Sequence, residues 1–202
     1  MREWFKSKIL FSLLFLLVPF TGCGKDDISE PDLSNVVLTI DDLPGNFQNL
    51  PIESLEKIGF GQNTLTTAFQ GAFTNAQPHN LTAYMNPDAN QVEVILSILF
   101  SPLSQDEVRT WDAQVDNPEQ AAYDFSLGVS GDSQAIIKPE YSGIGDKSIG
   151  FITTDEGFNM ETLLVRRNRT ISLLLLMYMN STQLNLRQLA IVLDQRLVAG
   201  YQ

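Results

Sequence analysis

The stretch that most constrains the fold is Ile171-Ser172-Leu173-Leu174-Leu175-Leu176-Met177, near the end of the chain. Read with period two, both alternate faces are apolar, the pattern of a strand covered on each side rather than one with a wet face. Residues 160–165 precede it as a second strand, and the two form the clearest hairpin. The turn falls in Arg166-Arg167-Asn168-Arg169, where Asn168 tolerates the left-handed backbone such turns need. A strand of this kind calls for cover above and below.

The rest of the chain supplies it. Residues 36–40, Val-Val-Leu-Thr-Ile, read as a β-branched strand that runs into the turn Asp41-Asp42-Leu43-Pro44-Gly45-Asn46. Residues 54–60 suit a short helix stopped by glycine, and 64–75 are ambiguous. Residues 80–86 and 91–101 flank a turn-rich connection and read as a hairpin ended by Pro102. Ser104 with Glu107 has capping-box spacing ahead of a helix carrying Val108 and Trp111. Asn117-Pro118 opens a further helix through Ala122, Phe125 and Leu127. Residues 135–140 and 148–154 are strand candidates around Gly143-Ile144-Gly145-Asp146. Leu186, Leu189, Ala190, Leu193 and Leu197 fall on one face of a helix over 185–198. The order predicts an α+β domain: an antiparallel sheet of about six to seven strands flanked by helices, with a C-terminal helix.

The first 23 residues carry a different message. Residues 1–8 hold Arg2, Lys6 and Lys8 against Glu3, and residues 9–20 are apolar. Twelve helical residues span about 18 Å, short of the roughly 30 Å hydrocarbon core of a bilayer. This reads as a secretory leader. It ends in Phe20-Thr21-Gly22-Cys23, which resembles the lipobox of bacterial lipoproteins, with Phe20 where leucine is more usual. The resemblance implies diacylglyceryl attachment and palmitate on Cys23, the chain's single cysteine, after cleavage of residues 1–22. Two other readings stay open: an ordinary leader cut near Thr21, with Cys23 a spare thiol, and an uncleaved anchor. Two or more acyl chains hold a protein on a membrane where one binds marginally. On this reading the protein sits extracytoplasmically in a bacterial cell envelope, at the outer membrane or the periplasmic face of a double-membraned host. Residues 23–35 would be the lipidated N-terminus and flexible tether, acidic and without apolar period, and residues 36–202 a single domain.

Charge narrows the partners. The whole chain has net charge -11, and losing residues 1–22 leaves 10 basic and 23 acidic groups, a net -13. So acidic a chain lacks the basic face that nucleic acid requires. A lone cysteine excludes an internal disulfide, and a single histidine, His79, rules out most histidine-rich metal sites. His79 itself reads as exposed in a polar loop. Asn86-x-Asp88-x-Asn90 begins like a calcium loop, but Ser97 stands where the bidentate glutamate belongs. The phosphate-binding, dinucleotide, nucleophile-elbow and zinc-protease motifs are all missing. No cofactor or metal is expected, and no catalysis, although 23 acids leave a hydrolase with a carboxylate pair as an alternative.

Two loop features are candidates for binding a ligand or partner. Arg166, Arg167 and Arg169 crowd one hairpin turn and repel one another, which an anionic partner would relieve. The plainer reading is a solvated turn offset by Asp155, Glu156 and Glu161. Asp146, after Gly143 and Gly145, either bonds the backbone of its own turn or reaches a ligand. Tyr141, Tyr178 and Trp111 would line a pocket or pack in the core.

Two segments resemble a loose group of bacterial lipoprotein domains. One is Leu38-Thr39-Ile40-Asp41-Asp42-Leu43-Pro44-Gly45-Asn46-Phe47. The other is Gly143-Ile144-Gly145-Asp146-Lys147-Ser148, followed by Leu164-Val165-Arg166-Arg167-Asn168-Arg169-Thr170-Ile171, with Asn168 where this turn usually carries glycine. Such patterns are similar to those of exported sensor-like domains and PsbP/Mog1-like domains. The resemblance covers about half of the domain and implies binding or assembly rather than catalysis. It leads to the expectation of a membrane-anchored lipoprotein that binds a protein partner or a small ligand. The alternative it adds is an accessory subunit of an envelope or photosynthetic-membrane complex.

Overall fold

A computed structural model of the protein describes residues 31–57, 76–87, 93–129, 134–155 and 157–201. The lipobox with Cys23, the first residues of the tether, the ambiguous segment 64–75, and Asp88 and Asn90 of the calcium-like turn lie outside the described residues.

The strands are β1 (Gln48–Asn49), β2 (Gln77–Asn86), β3 (Glu93–Ser101), β4 (Ile136–Ile137), β5 (Lys147–Asp155), β6 (Phe158–Arg167) and β7 (Thr170–Met179). They form one seven-stranded sheet in the order β1-β2-β3-β7-β6-β5-β4, and every neighbouring pair is antiparallel. The strand with two apolar faces, β7, is therefore the middle one, as its pattern predicts. Around the sheet lie the helices α1 (Ile52–Lys57), α2 (Gln105–Val115), α3 (Pro118–Val129) and α4 (Leu186–Gly200). The class is α+β.

Alternation along β7 builds two cores. Ile171, Leu173 and Leu175 meet Leu96, Ile98 and Phe100 of β3 and Phe151 of β5 beneath Leu55, Trp111 and Ala122. Leu174 and Leu176 turn the other way, with Ile95, Leu163 and Val165, toward Leu186, Leu189, Ala190 and Leu193 of α4. Each fully buried leucine stabilises the fold by about 1.5–3 kcal/mol. The helix starts follow local chemistry. Ser104 Oγ accepts the Glu107 N–H at 3.2 Å while Glu107 Oε2 accepts the Ser104 N–H at 2.7 Å, the expected capping box. Asn185 caps α4 by accepting the Gln188 N–H at 3.2 Å.

Three expectations are corrected. Residues 36–40 join no strand ladder: the segment is extended, then tightens into a 3-10 turn at Ile40–Asp42. Val36 and Leu38 are buried as a strand would have them. The backbone carbonyls, however, are taken by side chains. Asn80 Nδ2 donates to Val36 O at 2.9 Å and Tyr84 Oη to Leu38 O at 2.8 Å. Arg196 donates to Val37 O. A run of β-branched residues reports burial, and side-chain donors can satisfy an extended backbone as well as a ladder does. Second, 135–140 contains only the two-residue β4, because Pro139 has no N–H to continue the ladder and starts a 3-10 turn ending at Tyr141. Third, His79 lies within β2 opposite Leu99, half-buried, its Nε2 3.1 Å from Ser101 O, and not in an exposed loop.

The folded domain also begins earlier than residue 36. The Asp32 N–H donates to Gly200 O at 2.9 Å, and Leu33 packs against the small cluster of Val36, Leu99 and Leu197. The last residues of the presumed tether are thus part of the domain. They lie at the C-terminal end of α4.

Candidate functional site

The polar residues that stood out in the sequence converge at the β6–β7 turn. Arg167 pairs with Thr170 across the ladder, leaving Asn168 and Arg169 as the two-residue turn, and Asn168 adopts φ 50°. Because Arg166 and Arg167 are consecutive in a strand, their side chains leave by opposite faces of the sheet. Arg166 points to the α2 side, where Nε and Nη2 bind Asp112 Oδ1 and Oδ2 at 3.0 and 3.1 Å. Arg167 points to the α4 side, where Nε and Nη2 bind Asp194 Oδ1 and Oδ2 at 2.9 and 2.6 Å. Both are fork-to-fork pairs, the geometry in which guanidinium and carboxylate match best.

Asp146 joins them at the rim. Its Oδ2 accepts from Arg166 Nη1 at 3.1 Å and from the Asn168 N–H at 2.6 Å, and its Oδ1 accepts from Arg167 Nη1 at 2.9 Å. The Asp146 N–H in turn donates to Arg166 O at 2.8 Å. Its carboxylate therefore braces the neighbouring hairpin turn rather than the backbone of its own turn, which corrects that expectation. Gly145 makes the approach possible: at φ +64°, a Cβ there would lie 2.4 Å from Arg166 O.

Arg169 behaves differently. Its Nε donates to Leu103 O while the Leu103 N–H donates to Arg169 O, tying the turn to the loop between β3 and α2. Of the three arginines it alone has no carboxylate within ion-pair distance among the described residues.

Of the acids expected to offset this turn, the two that are described lie elsewhere. Asp155 pairs with Phe158 at the far end of the β5–β6 hairpin, Glu156 lies outside the described residues, and Glu161 is buried midway along β6. Strand length sets this: five residues carry a side chain about 17 Å. The partners that do arrive, Asp112 and Asp194, come from helices 54 and 27 residues away. Only the packing of both helices brings them there.

A second polar cluster is built around Glu161. Its two carboxylate oxygens accept from Tyr178 Oη at 2.8 Å and from Tyr141 Oη, and all three residues are buried. Burial, then the hydrogen bond to Glu161, pushes both tyrosine hydroxyls well above their ordinary range, so both stay protonated donors. Tyr141 reaches Glu161 by crossing the backbone of β5 at Gly150, where a Cβ would meet the ring at 2.2 Å. Nearby, Glu93 on β3 faces Tyr178. Its Oε2 accepts from Asn86 at 3.3 Å, while Oε1 is buried without a partner. Trp111 is buried on the other face, its Nε1 also unpartnered. Among the described residues, no three histidine, cysteine or acidic side chains are grouped to hold a metal ion.

Sequence reading found Arg166, Arg167, Arg169 and Asp146 and missed Asp112, Asp194, Glu93 and the role of Glu161. Asp112 had one signal: it follows Trp111, on the edge of the face that α2 buries. No family model matches the chain, and no curated protein or solved structure is significantly similar to it.

Proposed function

We propose that the protein is a non-catalytic lipoprotein, anchored outside the cytoplasm of a bacterial cell through Cys23, whose domain binds a protein partner or a small ligand. The observation that carries this reading is the single cysteine placed at the end of an apolar leader in Phe20-Thr21-Gly22-Cys23. Among the described residues no helix is long and apolar enough to cross a membrane. Asp32, nine residues after that cysteine, is already hydrogen-bonded into the domain.

The polar clusters are built for structure rather than chemistry. Arg166, Arg167, Asp112, Asp146 and Asp194 are engaged with one another, and both oxygens of Glu161 are occupied by tyrosines. These groups hold the layers together. The resemblance to PsbP/Mog1-like domains supports a second reading, an accessory subunit of an envelope or photosynthetic-membrane complex. Gentle detergent extraction separates the two: a stable large assembly favours the subunit, a free lipoprotein favours the soluble-ligand or transient-partner role.

The anchor is tested by growing cells with labelled palmitate. Label is expected in the wild type and not in Cys23→Ser; equal labelling of both would overturn the reading.

A further inference from the structure

The first described residues join the domain at one end of the sheet. The Asp32 N–H is bound to Gly200 O, and Asn80 Nδ2 bonds both Leu33 O and Val36 O, at 2.5 and 2.9 Å. Tyr201, the next residue after α4, bonds Thr170 Oγ1 at 2.7 Å, and Thr170 in turn bonds Ser101. The chain therefore enters where β3 ends, β7 begins and the β6–β7 turn projects. Nine residue steps separate Cys23 from Asp32. Fully extended, they reach at most about 32 Å. A ten-residue strand such as β7 is itself about 33 Å long. Even a completely stretched connection only matches the length of the sheet, so the opposite end cannot come to the bilayer without using all of it.

Most of the cations described at this end are paired with carboxylates. Arg166 and Arg167 are held by Asp112, Asp146 and Asp194, Lys147 by Asp116, and Arg109 by Asp106. Arg169, beside the exposed Asn168 at the outermost point of the turn, keeps both Nη groups free of any carboxylate among the described residues. A guanidinium in that position matches a phosphate.

We propose that this end of the sheet lies against the headgroups of the bilayer that holds the lipid, with Arg169 contacting a phospholipid phosphate, and that the end carrying the β5–β6 turn is presented away from the membrane. The proposal rests on the lipoprotein reading. It describes a single phosphate contact within an acidic domain, so affinity comes from the acyl chains and Arg169 sets orientation.

The test uses the full lipidated protein in vesicles of phosphatidylethanolamine and phosphatidylglycerol, 3:1, containing a rhodamine lipid as energy acceptor. With Cys23 acylated, a new cysteine is the only free thiol. A donor dye is placed at Gln105→Cys, beside the turn, or at Thr154→Cys, at the other end; both positions are exposed. Transfer from position 105 is expected to exceed that from 154 at least twofold. Inserting 20 Gly/Ser residues after Lys25 should bring the two toward equality. Arg169→Gln should narrow the difference and Arg169→Lys restore most of it. Equal transfer from both positions in the wild type, or a ratio unmoved by the insertion, overturns the proposed orientation. An Arg169→Gln protein indistinguishable from wild type overturns the phosphate contact. A wild type that fails to float with vesicles overturns the lipoprotein reading itself, a result distinct from the others.

Discussion

Strand β6 ends in one kind of polar chemistry and carries another in its middle. At its tip, Arg166 and Arg167 meet three aspartates in pairs of opposite charge. Five residues back, Glu161 meets two neutral hydroxyls and, among the described residues, no cation within ion-pair distance. The tip sits at the rim, where water offsets part of the cost of charge: Asp112 and Asp146 are about a third exposed and Asp194 about an eighth. The tyrosine cluster lies under Tyr141 against the sheet, where donors that stay neutral satisfy a carboxylate without bringing a second charge inside. The two also differ in what they connect. Tyr141 and Tyr178 fasten a loop and the central strand to β6, all within the sheet's own neighbourhood. The arginines reach one helix on each face, so the tip fixes how the two helical layers stack.

This contrast can be broken by substitution, from the largest effect down. Arg166→Met should lose about 2.5 kcal/mol in urea unfolding, because it removes a guanidinium only 9% exposed and takes both bonds from Asp112, while Asp146 keeps Arg167 and the Asn168 N–H. Glu161→Leu should lose about 2 kcal/mol by leaving two buried hydroxyls unpaired, and Glu161→Gln less, since an amide still offers one acceptor. Asp194→Asn should lose about 1 kcal/mol, as Arg167 keeps Asp146 and is more open to water.

Titration separates the regions with smaller effects. The tyrosines' folded-state values lie above their ordinary value of 10. The unfolded chain therefore releases these protons first, and stability is present below pH 10 and falls as pH rises past it. Replacing both tyrosines with phenylalanine should shrink the alkaline fall, leaving the part owed to buried Tyr84, whose hydroxyl is also pushed up by burial. In acid a group outside both regions, Asp42, is one of the carboxyls held low. Burial pushes its carboxyl up, but hydrogen bonds from Arg196 and Thr39 outweigh this and hold it below 3.8. Its contribution is full above that value and is lost as pH falls through the lowered one. Arg196→Gln should flatten this part of the acid limb.

Much of the fold was legible because it follows from local rules. The capping box at Ser104, the proline at the start of α3, the period of α4 and the two-sided apolarity of β7 each have a cause within a few residues. Residues 36–40 misled because the β-branched pattern encodes burial, and their hydrogen-bond partners, Asn80, Tyr84 and Arg196, are distant. The candidate site was half legible for the same reason. Three arginines in four residues announce that counter-charges are needed. Which acids supply them depends on α2 and α4 crossing opposite faces of one hairpin. Glu161 was assigned to the turn because it is near in sequence, whereas strand geometry carries it away and buries it.

The central structural claim is that the tip arginines are committed to the fold. It is tested most directly by a double-mutant cycle between Arg166→Ala and Asp112→Ala, read by urea unfolding. A coupling of at least about 1.5 kcal/mol is expected, within the range for contacting residues in one network. Additive effects within about 0.5 kcal/mol would contradict it, and would return Arg166 to the position of a cation awaiting an anionic partner.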